Sequence, residues 1–442
     1  MRKKKADLLI VNGRIVTMDE ECRIIDHGMV AVTNDIITDV DENHARHLYR
    51  AEKEIDAKGC IVMPGLVNTH THLPMSLFRG LADDMELMTW LNDHIFPAEG
   101  EHIHPHTVYA GTRLSLAELL LAGVTTVCDG YFHEDDVARA VHESGIRAVL
   151  AQGVIDYPAP GVPDPVLNIQ AAREYAETWK NVSPLITPSI FCHSPYTCSG
   201  DTLKKAKDAA RDHHILFQIH GAETSFEAQT IQSKHGKSPV AYMADLGILD
   251  KRTLIVHAVH VDERDIAIIA KHKAAVSHNP ESNMKLASGI APVPDMLKAG
   301  IHVGLGTDSS ASNNDLDMFS EMDSTAKLHK IDRLDPTIMN AENVLKMATL
   351  GGASAIGLGH LTGSLETGKQ ADIIIVDMQK PHLTPMYNPL SHLVYAVKGS
   401  DVRDVLVAGR EIVRNRSLLS MDLIATMDDM TTITDKISGR KP

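Results

Sequence analysis

Residues 61–74 read IVMPGLVNTHTHLP. The apolar run IVMPGLV reads as a strand, and His70 and His72 stand two apart at its end. Side chains two apart on a strand project from the same face, so the two imidazoles point the same way. Such a pair is half of a metal site. In a chain with 25 histidines the spacing also arises by accident, so the pair takes its meaning from other ligand-type residues further along the chain. His220 lies in ILFQIHGAE, His257 in RTLIVHAVH, His278 in AAVSHNPESN and Asp308 in GIHVGLGTDSSAS. Each ends its own β-branched or aliphatic run, and helical segments separate the runs.

That alternation predicts an α/β fold, a (β/α)8 TIM barrel, in which functional residues sit at the C-terminal ends of parallel strands. The span from His70 to Asp308 suits a barrel of roughly 250 residues. The eight strands are expected in GLVNTHTH, VTTVCDGY, GIRAVLAQGV, LITPSIFCHSP, ILFQIHGAE, TLIVHAVH, AAVSHNPE and HVGLGTDSS. The connection after the first strand, from about Leu73 to His106, is long, and long connections in compact domains are usually functional. Histidines outside this frame, such as His102, His104, His106, His213, His214 and His235, read as ordinary polar residues.

The stretches outside the barrel have strand character at both ends of the chain. DLLIVNGRIVTMD, GMVAVTNDIITDV and KEIDAKGCIVMPG alternate in polarity and contain NG and ND turn dipeptides, which predict antiparallel pairing. KQADIIIVDM, HLVYAVKG and DVRDVLVAGREIVRN read as strands after the barrel. The expected organisation is residues 1–60 and 361–442 combining into a small β-sandwich domain, with 61–360 as the metal-dependent barrel. A terminal helix is expected from about Leu418.

Composition narrows the function. The chain has 442 residues, 43% of them hydrophobic, enough for a large core. Its 43 basic and 58 acidic residues give a net charge of −15, which disfavours nucleic acid and anionic membranes as partners. The basic start MRKKK does not lead into an apolar run and does not read as a secretory signal. No run approaches the roughly 20 apolar residues of a membrane span. Cys22, Cys60, Cys128, Cys192 and Cys198 are scattered and odd in number, which fits a reduced, cytoplasmic setting.

Three imidazoles and a carboxylate suit a borderline divalent ion such as Zn²⁺. No lysine ends the fourth strand, so a carbamylated-lysine bridge between two metals is not expected and one ion suffices. Such an ion lowers the pKa of a bound water from 15.7 to roughly 7. Glu223, three residues beyond His220, has two compatible readings. It is an acid favourable to a helix N-terminus, and it is placed to carry a proton from that water to a ring nitrogen of a substrate. Protonating the ring makes the adjacent carbon electrophilic, so water adds there and an amine leaves as ammonia. His257 is a fifth ligand or a partner of the attacking water; four-coordinate zinc favours the second role. Asp308 would bind the ion and accept a proton from the same water. His278 is a candidate supporting group, and His260 reads as structural.

PGLVNTHTH, HGAE, VHAVH, SHNPESNMKLASGIAPV and LGTDSSASNN resemble the amidohydrolase superfamily, and within it the 5-methylthioadenosine/S-adenosylhomocysteine deaminases. The resemblance covers nearly the whole chain, including TGSLETGKQADIIIVD. It implies one Zn²⁺ per subunit, with Fe²⁺ or Mn²⁺ as alternatives, held by His70, His72, His220 and Asp308. It implies Glu223 as proton shuttle and His257 near the attacking water. It also implies that Glu99 binds ribose hydroxyls, that Trp90 forms an aromatic wall, and that Arg147 and His193 contact substrate. The implied partner is a small nucleoside, and apolar helices outside the barrel are compatible with a homo-oligomer. One departure stands out. The family pattern has a second arginine in the loop after the third strand, whereas IDYPAPGVPDPVLN has none. Bidentate carboxylate binding needs such a group, so weakened binding of S-adenosylhomocysteine is expected unless Arg147 suffices or Arg173 reaches in.

The competing readings are a deaminase or chlorohydrolase of another heterocycle (a triazine, guanine or a pterin), a non-catalytic protein on the same scaffold, and an amide-ring hydrolase. Retention of Glu223 favours a deaminase, Glu99 and Trp90 favour a ribosylated purine over a bare ring, the retained ligands weigh against a non-catalytic protein, and the missing fourth-strand lysine weighs against an amide-ring hydrolase.

Overall fold

The computed structural model describes residues 3–86 and 89–437. The chain begins in β1 (Lys4–Val16), β2 (Ile24–Thr33), β3 (Ile36–Glu42), β4 (Tyr49–Asp56) and β5 (Cys60–Pro64). Gly65 alone separates β5 from β6 (Leu66–Thr71), the first of eight parallel strands. A Cβ at Gly65 would lie 2.1 Å from the Thr125 side chain, so glycine is what allows the chain to pass from sheet into barrel here. The barrel continues with β7 (Val124–Tyr131), β8 (Arg147–Val154), β9 (Ile186–Cys192), β10 (Leu216–Gly221), β11 (Thr253–His257), β12 (Ala275–His278) and β13 (Val303–Leu305). Each pairs in parallel with the next. A single parallel bridge, Thr71 to Asp308, closes the ring between first and last strands. All eight anticipated barrel strands are present, their side chains almost wholly buried, as expected when helices cover the outside of a parallel sheet.

After the barrel come β14 (Ile373–Asp377), β15 (Val402–Val407), β16 (Arg410–Arg414) and β17 (Ser417–Leu418). These join β1–β5 in one mixed sheet ordered β17-β16-β15-β14-β5-β1-β2-β3, with β4 beside β1. Ile10, Val32, Ile37, Ile373, Ile375 and Leu406 share one buried apolar cluster. Burial of these side chains, drawn from both ends of the chain, is the force that brings those ends together.

Four local expectations change. Both strands of KEIDAKGCIVMPG, β4 and β5, pair with β1 in parallel and not antiparallel. Asn34-Asp35 forms the expected hairpin turn between β2 and β3, but Asn12-Gly13 lies inside β1. There Asn12 takes a positive φ of 64° and the β1–β2 register slips, a bulge rather than a turn. The stretch HLVYAVKG contributes to a helix, Pro389–Tyr395, not a strand. Asn388 caps it by accepting from the Ser391 amide at 3.1 Å, with proline at the first helical position. The terminal helix begins at Leu423, after β17 has used Ser417–Leu418. All five cysteines are buried free thiols. No described helix is long and apolar enough to cross a membrane.

Arg147 requires the largest correction. It opens β8, at the N-terminal end of the barrel, whereas the histidine-bearing strand ends lie at the opposite end. Its side chain is buried and forms a bidentate pair with Asp372, with contacts of 2.7 and 3.0 Å. It also donates to Gln370. The guanidinium therefore clamps the barrel to the segment leading into β14 and is unavailable to a substrate. Arg173 is also committed, pairing with Asp212 at 2.9 Å between two outer helices. Replacing Arg147 with Met leaves the Asp372 charge buried and unpaired, which costs about 3–5 kcal/mol. R147M should lower the denaturation midpoint markedly while leaving KM unchanged in the folded fraction. An altered KM with unchanged stability would contradict this placement.

Candidate metal centre and active site

His70 lies inside β6, and His72 comes just after it at the point where the chain turns outward. The two flanks of His72 are fixed by one side chain. Asp129 on β7 accepts from the Thr71 hydroxyl and the Leu73 amide, both at 2.7 Å. His72 Nδ1 donates to the Gly130 carbonyl at 2.7 Å, which leaves its Nε2 lone pair facing the barrel axis. His220 lies near the end of β10, and its Nε2 is 3.2 Å from Nε2 of His70. Asp308 Oδ1 lies 3.4 Å from Nε2 of His70 and 3.5 Å from Nε2 of His72.

These separations can be tested against a metal. Four ligands held tetrahedrally at 2.0–2.1 Å from zinc stand about 3.3 Å apart. The four donor atoms therefore fit one such ion, and their chemistry, three neutral imidazole nitrogens and a carboxylate, suits Zn²⁺. Burial holds His70 to a pKa of about 4, against the opposing pull of Asp308, and burial drives His220 well below the usual histidine range. Both are neutral, the form that binds metal. Burial would raise the Asp308 carboxyl, but its hydrogen-bond contact with His70 and the imidazoles around it hold it well below the carboxylate range. Its Oδ2 accepts from Ser282 at 2.7 Å and its Oδ1 from the Ser309 amide at 2.8 Å.

His257 ends β11 and belongs to the same cluster, grouped with His70 and Asp308. Asn283 engages its Nδ1 at 2.9 Å, so Nε2 faces the centre, 3.9 Å from Glu223 Oε2. Glu223 stands just beyond β10. Burial raises its carboxyl pKa, with the His257 charge pulling the other way. Ala222, His257, Ala258 and Asp308 all take positive φ, between 48° and 74°. These strained residues lie at strand ends around the centre, where the backbone turns the ligand-bearing side chains inward.

His193, after β9, joins the wall of the same cavity, its Nδ1 2.9 Å from the Thr197 hydroxyl. Trp90 lies on a π-helical turn in the long connection after β6 and lines the cavity from above. Glu99 sits on the helix Phe96–His102 of that connection and is buried. Tyr131, at the end of β7, donates to Glu99 Oε1 at 2.5 Å. Burial raises the Glu99 pKa to about 7, Tyr131 moderating the rise. Glu99 borders a second cavity of about 620 Å³ that shares Leu91, His193 and Tyr196 with the metal centre. His278 lies apart, its Nε2 3.2 Å from that of His329. His260 ties its loop to the Ser288 carbonyl at 2.8 Å.

Several supporting groups have little or no signature in the sequence. Glu227 accepts from the amides of Ala222 and Glu223 at 2.8 and 2.9 Å, fixing the backbone that carries Glu223. Its one signal is Thr224-x-x-Glu227, a capping-box pattern, and Thr224 does cap the helix Ser225–His235. Asp129, Tyr131, Ser282 and Asn283 have no such local signal.

A family model for the amidohydrolase family matches residues 61–412. The chain belongs to this family. It is 46% identical over 440 residues to a 5-methylthioadenosine/S-adenosylhomocysteine deaminase of Syntrophobacter fumaroxidans, covering 99% of this chain and 100% of that one. It is 41% identical to a 5'-deoxyadenosine deaminase of Methanosarcina acetivorans, covering 98% of this chain and 99% of that one. Among solved structures, a zinc-bound adenosine deaminase of Xanthomonas campestris superposes with a TM-score of 0.97 at 36% identity, covering 99% of this chain and 100% of that one.

His70→Ala and Asp308→Ala should each lose bound metal, measured by elemental analysis of the purified protein, and lose hydrolytic activity with it. Full metal content in either variant would remove that residue from the ligand set.

Proposed function

We propose that this amidohydrolase removes the 6-amino group of adenosine-type nucleosides by hydrolysis. Its substrates are 5'-methylthioadenosine, S-adenosylhomocysteine and adenosine, each giving the inosine product and ammonia. The observation that carries this reading is the placement of two carboxylates, Glu99 buried and Glu223 half-buried, on adjoining cavities. Glu223 faces the ligand cluster, and Glu99 faces the space beside it. One serves ring chemistry and the other a sugar. The relatives named for deamination of adenosine-type nucleosides support the same reading.

His70, His72, His220 and Asp308 would hold one Zn²⁺, which supplies a nucleophile from water at neutral pH. Glu223 takes one proton from the attacking water and delivers it to the ring nitrogen next to C6. A raised pKa suits this carboxyl to both halves of that transfer. His257, its far nitrogen held by Asn283, orients the water through Nε2. Asp308 accepts the remaining proton of the water and returns it to the amino nitrogen. The C6–N bond then breaks, the ring nitrogen keeps its proton, and ammonia leaves. Trp90 packs against the base and His193 contacts it or the ribose. Glu99 accepts from the vicinal ribose hydroxyls, with Oε1 already steadied by Tyr131.

The direct test is ammonia release from methylthioadenosine, S-adenosylhomocysteine, adenosine, guanine and an aminotriazine. Turnover of the adenosine compounds supports the reading; turnover confined to guanine or the triazine overturns it. E223Q should keep its zinc and lose about 10²–10⁴-fold in kcat, and near-normal turnover would exclude Glu223 as proton carrier. Glu99 carries a pKa of about 7 because of burial, and only its ionised form accepts two hydroxyls. KM for ribonucleosides should therefore fall as pH rises through about 7, while a 2'-deoxy substrate shows a weaker dependence. Equal pH dependence for both would remove Glu99 from the ribose site.

A further inference from the structure

The second cavity has a wall unlike that of the metal centre. The loop after β8 contributes Ile155, Tyr157 and Pro158. Phe96 comes from the connection after β6, and Phe226 from the helix Ser225–His235. Phe96, Tyr157 and Phe226 are 39%, 57% and 48% exposed, although large apolar side chains normally bury themselves. Exposed rings gathered around one concave space mark a ligand surface. Glu99 lies on the same wall, so a nucleoside whose ribose reaches Glu99 sends its 5' substituent into this space.

Phe226, Thr230 and Lys234 all border the cavity. They are spaced four apart and so share one face of their helix. Lys234 stands about 12 Å beyond Phe226 at 1.5 Å per residue, at the end remote from the start of the helix. Apart from His193, it is the one basic side chain on this wall, and among the described residues it makes no ion pair. The two arginines that were candidates for a carboxylate on the 5' substituent, Arg147 and Arg173, are held elsewhere by Asp372 and Asp212.

Resting on the proposed nucleoside reading, we infer that Lys234 is the specificity-determining residue for acidic 5' substituents. The apolar wall receives an uncharged 5' end, a methylthio or deoxy group, with no help from charge. A longer thioether carrying an amino-acid carboxylate threads past the same wall and meets the Lys234 ammonium. A lysine offers a single point charge in place of a bidentate fork, so this chain accepts such a substrate but does not favour it. A phosphate on the 5' carbon would sit against the aromatic wall, short of the lysine, and is refused.

The test compares methylthioadenosine, S-adenosylhomocysteine and adenosine 5'-monophosphate in the zinc-loaded wild type, K234Q and K234R. The expected result in K234Q is a rise of about tenfold in KM for S-adenosylhomocysteine, with kcat kept and methylthioadenosine unchanged. K234R should restore most of the loss. Rising ionic strength should weaken S-adenosylhomocysteine alone. The inference is overturned if K234Q affects the two thioethers equally or neither, if the wild type turns over methylthioadenosine but not S-adenosylhomocysteine, or if the monophosphate is the better anionic substrate. Failure of all three adenosine compounds in the wild type would overturn the underlying function itself. A normal rate on methylthioadenosine with an indifferent Lys234 would leave that function standing and remove only this inference.

Discussion

The hydrogen bond from the Asp308 amide to the His70 carbonyl, 3.0 Å long, closes the barrel. It lies in the one bridge between the first and last strands, and it sets the fourth ligand beside the first. A parallel ring has only one register in which the end of β6 and the turn after β13 meet. Once that register is set, the places of His72, His220 and His257 are set too, because each occupies the end of a strand whose neighbours are already hydrogen-bonded in sequence. Gly306 shows how tight the closure is. A Cβ there would come within 2.5 Å of Asn279 Oδ1 and 2.9 Å of the His70 amide nitrogen. The metal centre is thus a consequence of closure, and a substitution that loosened the seam would disperse the ligands without touching one of them.

Closure gathers groups that resist being gathered. Several imidazoles and two carboxylates lie within a few ångströms of one another, mostly buried, and positive φ angles mark strand ends that carry them. Burial keeps His70, His193 and His220 neutral, which removes the repulsion that protonated rings would feel. Among the described residues His70 Nδ1 has no hydrogen-bond partner, so this ring is fixed by packing and by what its Nε2 meets. An arrangement of this kind destabilises the empty fold and is offset by binding a cation, the coupling expected between a metal site and the protein that holds it. The outer supports share the same logic. Asp129 fixes both neighbours of His72, Ser282 and Asn283 fix Asp308 and His257, and Glu227 fixes the backbone of Glu223.

The legible part of this architecture is the part written in periodicity. Buried parallel strands are continuous apolar runs, and ligand-type residues at the ends of several of them stand out against their surroundings; all eight barrel strands are visible from the runs. Where one signal serves two structures, the reading fails. Asn12-Gly13 favours a positive φ, which a hairpin turn and a bulge both use, and only pairing with β2 decides between them. HLVYAV has strand-forming residues, but Asn388 and Pro389 start a helix ahead of it and tertiary packing of Leu393 and Val394 holds it there. Arg147 fails for another reason. Its partner Asp372 lies 225 positions away, and no local pattern distinguishes an arginine that binds substrate from one that joins two parts of a fold. Tyr131 and Glu99 are separated in the same way, one on a strand end and one on a connecting helix.

On the proposed reading, chemistry and selectivity reside on different parts of the molecule. The candidate metal ligands and Glu223 stand on strand ends or one turn beyond, where the hydrogen-bonded barrel holds them in place. Phe96, Tyr157, Phe226 and Lys234 stand on connections and on the cavity-facing side of a helix, where a change of side chain disturbs no strand register. Glu99 and Tyr131 join the two regions, through a hydrogen bond from a barrel strand to the long connection. That bond ties to the barrel the same connection that carries Trp90, a wall of the cavity beside the candidate ligands.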